Sequence, residues 1–371
     1  MRPLLSEMLS LAITFTLALA TGHLFKSLGL PAPYLIGSLF GVWFMGVAIG
    51  PVREKLAMPR WLFMPVALGL GTLIGGNFRP DVVSHISAAA VTVSAMVGAT
   101  ILATLAGLTY LMKIRKYDFI MALLSCIPGG QAEVAIMSRD LVEKDYVVVL
   151  FHLVRVAIVF CSTPLILAFV QGEAAVTASN TALQSMPGLF SLDISTLAVF
   201  VAISVGSLPL ARVLRIPMPH LIGPLLVSSA LHVAGVIEVP RISEFIILAQ
   251  VTIGSSVGSR LAKVPLVELA PYIRDAIVNA IIVLMTYGLV AFAVASLTNI
   301  DFIKMLLAFV PGGLYEVTLL ALIFGFDVAF VAFHHTIRVM MVFIGLPLVV
   351  SLSQKHQAKP NGTAGPSGPD R

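Results

Sequence analysis

Apolar residues in this chain run in long blocks that show no polar face, and the polar residues collect in short clusters between them. Twelve blocks stand out, at about 8–25, 34–50, 61–78, 86–112, 117–140 and 146–170, then 192–211, 219–237, 243–259, 275–297, 302–325 and 328–351. A helix that is apolar all round is buried in a large core or in lipid, and about 20 such residues span a bilayer core of about 30 Å. The pattern therefore predicts a bundle of membrane helices.

Composition supports this: of 371 residues, 58% are apolar and 11% charged, against about 25% charged in soluble domains. The formal charge of +5 does not point to nucleic acid, because no basic stripe or reading motif accompanies it. Cys126 and Cys161 stand alone within apolar blocks, so neither a disulfide framework nor a zinc site is expected. Residues 8–25, ending near "ALA" at 18–20, resemble a secretory signal. Arg2 is a thin basic start for one, however, and the run has a counterpart at 192–211, which favours a retained helix. The tail from 353 to 371, polar and rich in Gly and Pro, is expected to be disordered and its Asn361 sequon accidental.

The blocks repeat. "PAPYLIG" at 31–37 returns as "PMPHLIG" at 217–223, and "GTLIG" at 71–75 as "GSSVG" at 254–258. "PGG" at 128–130, Glu133, His152, Arg155 and Pro164 return as "PGG" at 311–313, Glu316, His335, Arg338 and Pro347, all at an offset of 183. Seven unusual positions in one register predict an internal duplication, residues 1–183 and 184–352, followed by a cytoplasmic tail.

Charge decides how many blocks cross. If all six blocks of each half span, the Lys and Arg of the loops, block ends and tail split 12 to 9 between the two sides; if the Pro-Gly-Gly block of each half dips in and returns, they split 17 to 4. The positive-inside rule favours the second count. The expected fold is thus all-α: two inverted repeats, each of five transmembrane helices plus one Pro-Gly-Gly re-entrant hairpin, with both termini cytoplasmic in a bacterial inner membrane. Paired Gly/Pro-interrupted segments in inverted halves mark the midplane site of many transporters.

Four charges lie well inside blocks, away from their ends: Glu133, Glu316, Arg155 and Arg338. A charge at a helix centre costs about 2.5–3.5 kcal/mol on insertion scales, so mutual pairing, Glu133 with Arg155 and Glu316 with Arg338, is expected. The glutamates also fit the first turn of a helix following each break, where a carboxylate complements free N–H groups. Both readings stay open beside a substrate or proton role. The expected substrate-binding set is Gly129, Gly130, Gln131, Glu133 and Arg155 with Gly312, Gly313, Glu316 and Arg338; the expected proton carriers are His152, His335, Glu133 and Glu316. His334 has Phe151 as its mate and falls outside the shared pattern. "PxPxLIG" suits a helix start, and the glycine pairs suit close helix packing.

These paired "PxPxLIG", "PGGxxEV" and "HxxR" elements resemble the AbrB membrane family, and the resemblance covers nearly the whole chain. It implies a tandem-duplicated membrane protein, labelled a regulator of gene expression or an ammonia monooxygenase. The residues themselves favour a secondary transporter of a small solute, a proton-coupled organic anion, with the site at the repeat interface. A membrane-bound regulator or receptor is the alternative, and a metal-dependent monooxygenase a weaker one. No enzyme chemistry, metal or cofactor is expected; the partners are a small molecule and the bilayer, not nucleic acid, and a homo-oligomer is left open.

Overall fold

The computed structural model describes residues 2–78, 86–129, 131–264 and 266–357. Among them every regular element is helical. The order is α1 (Arg2–Ser27), α2 (Pro33–Ala48), α3 (Arg60–Gly75), α4 (Ile86–Thr109, continued by a π-helical turn Tyr110–Ile114), α5 (Phe119–Cys126), α6 (Gln131–Leu141) and α7 (Asp145–Ser185). Then follow α8 (Ile194–Val213), α9 (Pro219–Val233), α10 (Ser243–Ala262), α11 (Leu266–Thr298), α12 (Phe302–Phe309), α13 (Leu314–Ile323) and α14 (Val328–Gln357).

Among the described residues, seven helical stretches are long and apolar enough to cross a membrane: Ser6–Ser27, Ala89–Ile114, Asp145–Val170, Ile194–Val213, Ser243–Ala262, Leu269–Thr298 and Val328–Ser353. The protein is an all-helical, membrane-type bundle. Three helices expected to cross are shorter than the sequence suggested. α2 and α3 have 16 residues and α9 has 15, which at 1.5 Å per residue is about 22–24 Å against a hydrocarbon core of about 30 Å. The tail also differs: α14 continues to Gln357, and the later residues, Asn361 included, lie outside the described residues.

Why these helices pack as they do is written in the glycine pairs. α10 lies along α2, and α3 along α9. Gly254 and Gly258 of α10 face the backbone carbonyls of Leu35 and Leu39; Gly71 and Gly75 of α3 face those of Leu221 and Leu225. A Cβ at any of the four would stand where a carbonyl oxygen now sits, so the close crossing needs the bare Cα. The two recurring motifs are therefore the two sides of one contact, made twice: the "LIG" helix of each half receives the glycine face of the other half. Its own glycine, Gly37 or Gly223, packs instead toward Thr21 of α1 or Ala211 of α8.

The turns into these helices also match. Ala32 and Met218, each held between two prolines, adopt left-handed backbone angles (φ 45° and 49°), and Pro33 and Pro219 open the helices. Beside this crossing α11 runs along α4, touching α7 as well, while α14 touches α4.

Candidate functional site

The breaks fall where the sequence puts them. Proline disfavours helical angles in the residue before it, and Ile127 (φ −58°, ψ 128°) and Val310 (φ −52°, ψ 129°) leave the helix. α5 and α12 end there after 8 residues each, about 12 Å of helix. Their last carbonyls are left without helical partners, at a helix end that carries about half a negative charge.

An arginine from the last helix of the same half answers this in both places. Arg155 of α7 donates from Nη1 to the Cys126 carbonyl (3.2 Å) and from Nη2 to that of Ile127 (3.1 Å). Arg338 of α14 donates from Nη1 to the carbonyls of Phe309 and Val310 (3.0 Å each) and from Nη2 to Gly312 (3.3 Å). One turn earlier, His152 and His335 bind the same half-helices through the carbonyls of Leu124 (2.8 Å) and Leu307 (2.9 Å). A carbonyl only accepts, so each ring carries its hydrogen on Nε2, and Nδ1 accepts from the arginine at 3.0 and 2.9 Å. "HxxR" is thus a clamp on the end of a broken helix.

Two expectations change here. The glutamate–arginine pairing is not formed at the second break, because the Arg338 fork is spent on carbonyls; among the described side chains neither arginine stands in an ion pair. The histidines, expected as proton carriers, hold both ring nitrogens against the clamp, and a second proton on Nδ1 would face the guanidinium N–H. Both arginines are at most 2% exposed, and the Nε of each lacks a hydrogen-bond partner. The charge of Arg338 also lies over the ring of buried Tyr287, 6.0 Å from its centre.

Glu316 sits in the first turn of α13, as one reading expected, and is 8% exposed. Its Oε2 has no hydrogen-bond partner, and the cation whose field reaches it is Arg260 of α10. The carboxylate folds over the bare Cα of Gly313, where a Cβ would collide with it. Gly312 is closed in by Val159 of α7 and Val317. Gly129 has φ +116°, a conformation that favours glycine, and Val342 of α14 is the side chain nearest its Cβ position. Each half's break is thus approached by the other half's last helix. Gln131 and Glu133 lie in the first turn of α6, but their side chains, and Gly130 altogether, lie outside the described residues.

Tyr287 and its partner Thr100 (2.7 Å from the tyrosine hydroxyl) escaped the sequence reading. The signal was present: Asp275, Asn279 and Tyr287 stand as polar positions in an otherwise apolar block. A cavity of about 140 Å³ lies away from the breaks, between α1, α2 and the start of α10, bordered by Lys26, Tyr34 and Glu244. It touches none of the clamp residues.

Broken helices clamped by buried arginines inside an apolar bundle define a membrane-type helical protein with an internal polar centre. The sequence profile of the family described as "Transition state regulatory protein AbrB" matches residues 39–354, and the chain belongs to that family. It is similar to "Uncharacterized protein YhjN" of Bacillus subtilis (strain 168), 25% identical over 335 residues, covering 84% of this chain and 87% of that one. It is also similar to "Putative regulator AbrB" of Escherichia coli (strain K12), 22% identical over 335 residues, covering 90% and 94%. No solved structure matches the chain.

Proposed function

We propose that the protein is a secondary transporter of a small organic anion, built from two inverted repeats, residues 1–183 and 184–352, each with five crossings and one re-entrant hairpin. The observation that carries this reading is the arginine centre: two buried guanidiniums placed beside paired broken helices, neither in an ion pair with a carboxylate among the described side chains. Buried positive charge favours an anionic guest, and the half-helix N-termini at Gln131 and Leu314 add free N–H groups. The matching order of the longer helices, α1 to α7 and α8 to α14, and their reciprocal packing support the repeat reading.

In this scheme Gly129, Gly130, Gln131 and Arg155, with Gly312, Gly313 and Arg338, surround the anion. Glu316, and Glu133 by its place in the motif, carry the coupled proton, while His152 and His335 hold the arginines in place. The 17-to-4 partition of Lys and Arg supports placing both termini on the cytoplasmic side of a bacterial inner membrane. Reconstitution into liposomes with an inward proton gradient and a panel of small organic anions tests it. Proton-dependent uptake that Arg338→Lys impairs is expected; uptake of cations instead, or uptake indifferent to the gradient, would overturn it.

The names of the family and of the Escherichia coli relative favour a second reading, a membrane-bound regulator or receptor, which would bind a solute and move none.

A further inference from the structure

The interface of α4 and α11 carries more polarity than packing requires. On α11, Asp275, Asn279 and Tyr287 are buried (2%, 2% and 0% exposed); on α4, Thr92 and Thr100 are buried as well (0% and 3%). Thr and Asn can join membrane helices by hydrogen bonds alone, but an ionisable residue within a membrane segment, here Asp275, marks a solute or ion path. From Asp275 to Tyr287 the helix rises about 18 Å and from Thr100 to Thr92 about 12 Å, so the file spans roughly the hydrocarbon core. Its midpoint is the arginine centre: Tyr287 donates to Thr100 at 2.7 Å and lies beside Arg338.

Each end is shut by specific contacts. At one, Asp275 is held by Arg115 Nε (2.7 Å), by the Tyr117 hydroxyl (3.2 Å) and more loosely by Arg274 (3.6 Å). At the other, His334 donates from Nδ1 to the Phe330 carbonyl and accepts on Nε2 from Thr92, both at 2.8 Å. The Lys304–Asp327 ion pair (2.7 Å) stands next to it, with Lys304 over the Phe330 ring. Between the first gate and the arginines, Cys126 Sγ lies 3.5 Å from Asn279 Oδ1, and the Cys126 carbonyl takes the Arg155 bond. Gly107 leaves the room: a Cβ there would meet both Asn279 and Cys126. Val283 and Met96, fully buried, interrupt the two stretches.

We propose that the α4–α11 file is the aqueous route of a small anion to the arginine centre, closed at one end by Arg115–Asp275–Tyr117 and at the other by Thr92–His334. The route rests on the reading of that centre as an anion site, and it gives His334, which the repeat leaves unmatched, a place at a gate.

Cys126 reports on it without any knowledge of the solute. In Cys161→Ser protein, Cys126 is treated with the anionic sulfonatoethyl methanethiosulfonate or its cationic trimethylammonium analogue. Asp275→Asn is expected to speed modification about tenfold by shifting the gate toward open, with the anionic reagent about tenfold faster than the cationic one because the centre focuses anions. Tyr117→Phe, which removes a single hydroxyl, gives the same result on a smaller scale and serves where Asp275→Asn folds poorly. A Cys126 that stays unreactive in both variants, or that reacts faster with the cation, would overturn the route. Labelling without uptake of any solute keeps the route and sinks the transporter; uptake with Cys126 silent does the reverse.

Discussion

The two broken helices are built alike at the clamp and differently around it. At each, a proline ends an eight-residue helix, and a histidine and an arginine one turn apart catch the stranded carbonyls. Arg155 reaches two of them and Arg338 three. The linings differ: where the first half ends in Cys126, the second has Phe309; where α11 offers Asp275 and Asn279, α4 offers Thr92 and Met96. Gly129 needs its positive φ, while Gly313 needs only space for the Glu316 carboxylate. The shared parts hold the break open, and the unshared parts distinguish the two routes into it.

Breaking the clamp should produce the largest effect. Arg338→Ala strands three buried carbonyls at about 1–3 kcal/mol each, so loss of folded protein in detergent is expected, with Arg155→Ala somewhat milder. Comparable thermal unfolding of both variants and the unaltered protein would show that the clamps are ornamental. Next come Gly71→Ala and Gly254→Ala. Each forces a methyl group against a carbonyl in one of the two matching crossings and should cost about 1–3 kcal/mol, nearly equally in the two halves. A silent substitution on one side would break the equivalence of the crossings.

Glu316→Gln sharpens the difference between stability and coupling. Removing a buried carboxylate with no hydrogen-bond partner at Oε2 is expected to leave the midpoint of thermal unfolding unchanged or raised, while proton-driven uptake is lost. A large destabilisation would mean that the carboxylate is structural. The smallest effect concerns Tyr117, whose hydroxyl pKa is raised by burial, then by the charge of Asp275 and its hydrogen bond. The protonated form is favoured in the fold, so its stabilisation is complete below the ordinary tyrosine range near pH 10 and is lost as pH rises above it. A fall in unfolding temperature at high pH that Tyr117→Phe abolishes checks this.

Much of the scaffold was legible because its signals are local. Proline and paired glycines dictate breaks and close crossings wherever they stand, so the ends of α5 and α12 and the starts of α2 and α9 followed from the sequence. What the arginines bind did not. Charge alone pairs Arg338 with Glu316, but an arginine fork near a broken helix also has carbonyls to satisfy, and only the fold shows that α12 ends within its reach. The Tyr287–Thr100 contact was hidden for a similar reason: its partners are 187 residues apart, on helices whose juxtaposition no local pattern encodes. The short α2, α3 and α9 were overestimated because apolar blocks continue past the glycine and proline positions where these helices stop.

A double-mutant cycle between Arg338→Met and Glu316→Gln, read by reversible unfolding in mixed micelles, tests the clamp most directly. If Arg338 serves the carbonyls of Phe309, Val310 and Gly312, the two substitutions are nearly additive, with a coupling within about 0.5 kcal/mol. A coupling of about 2 kcal/mol or more would restore the glutamate–arginine pair and contradict the clamp.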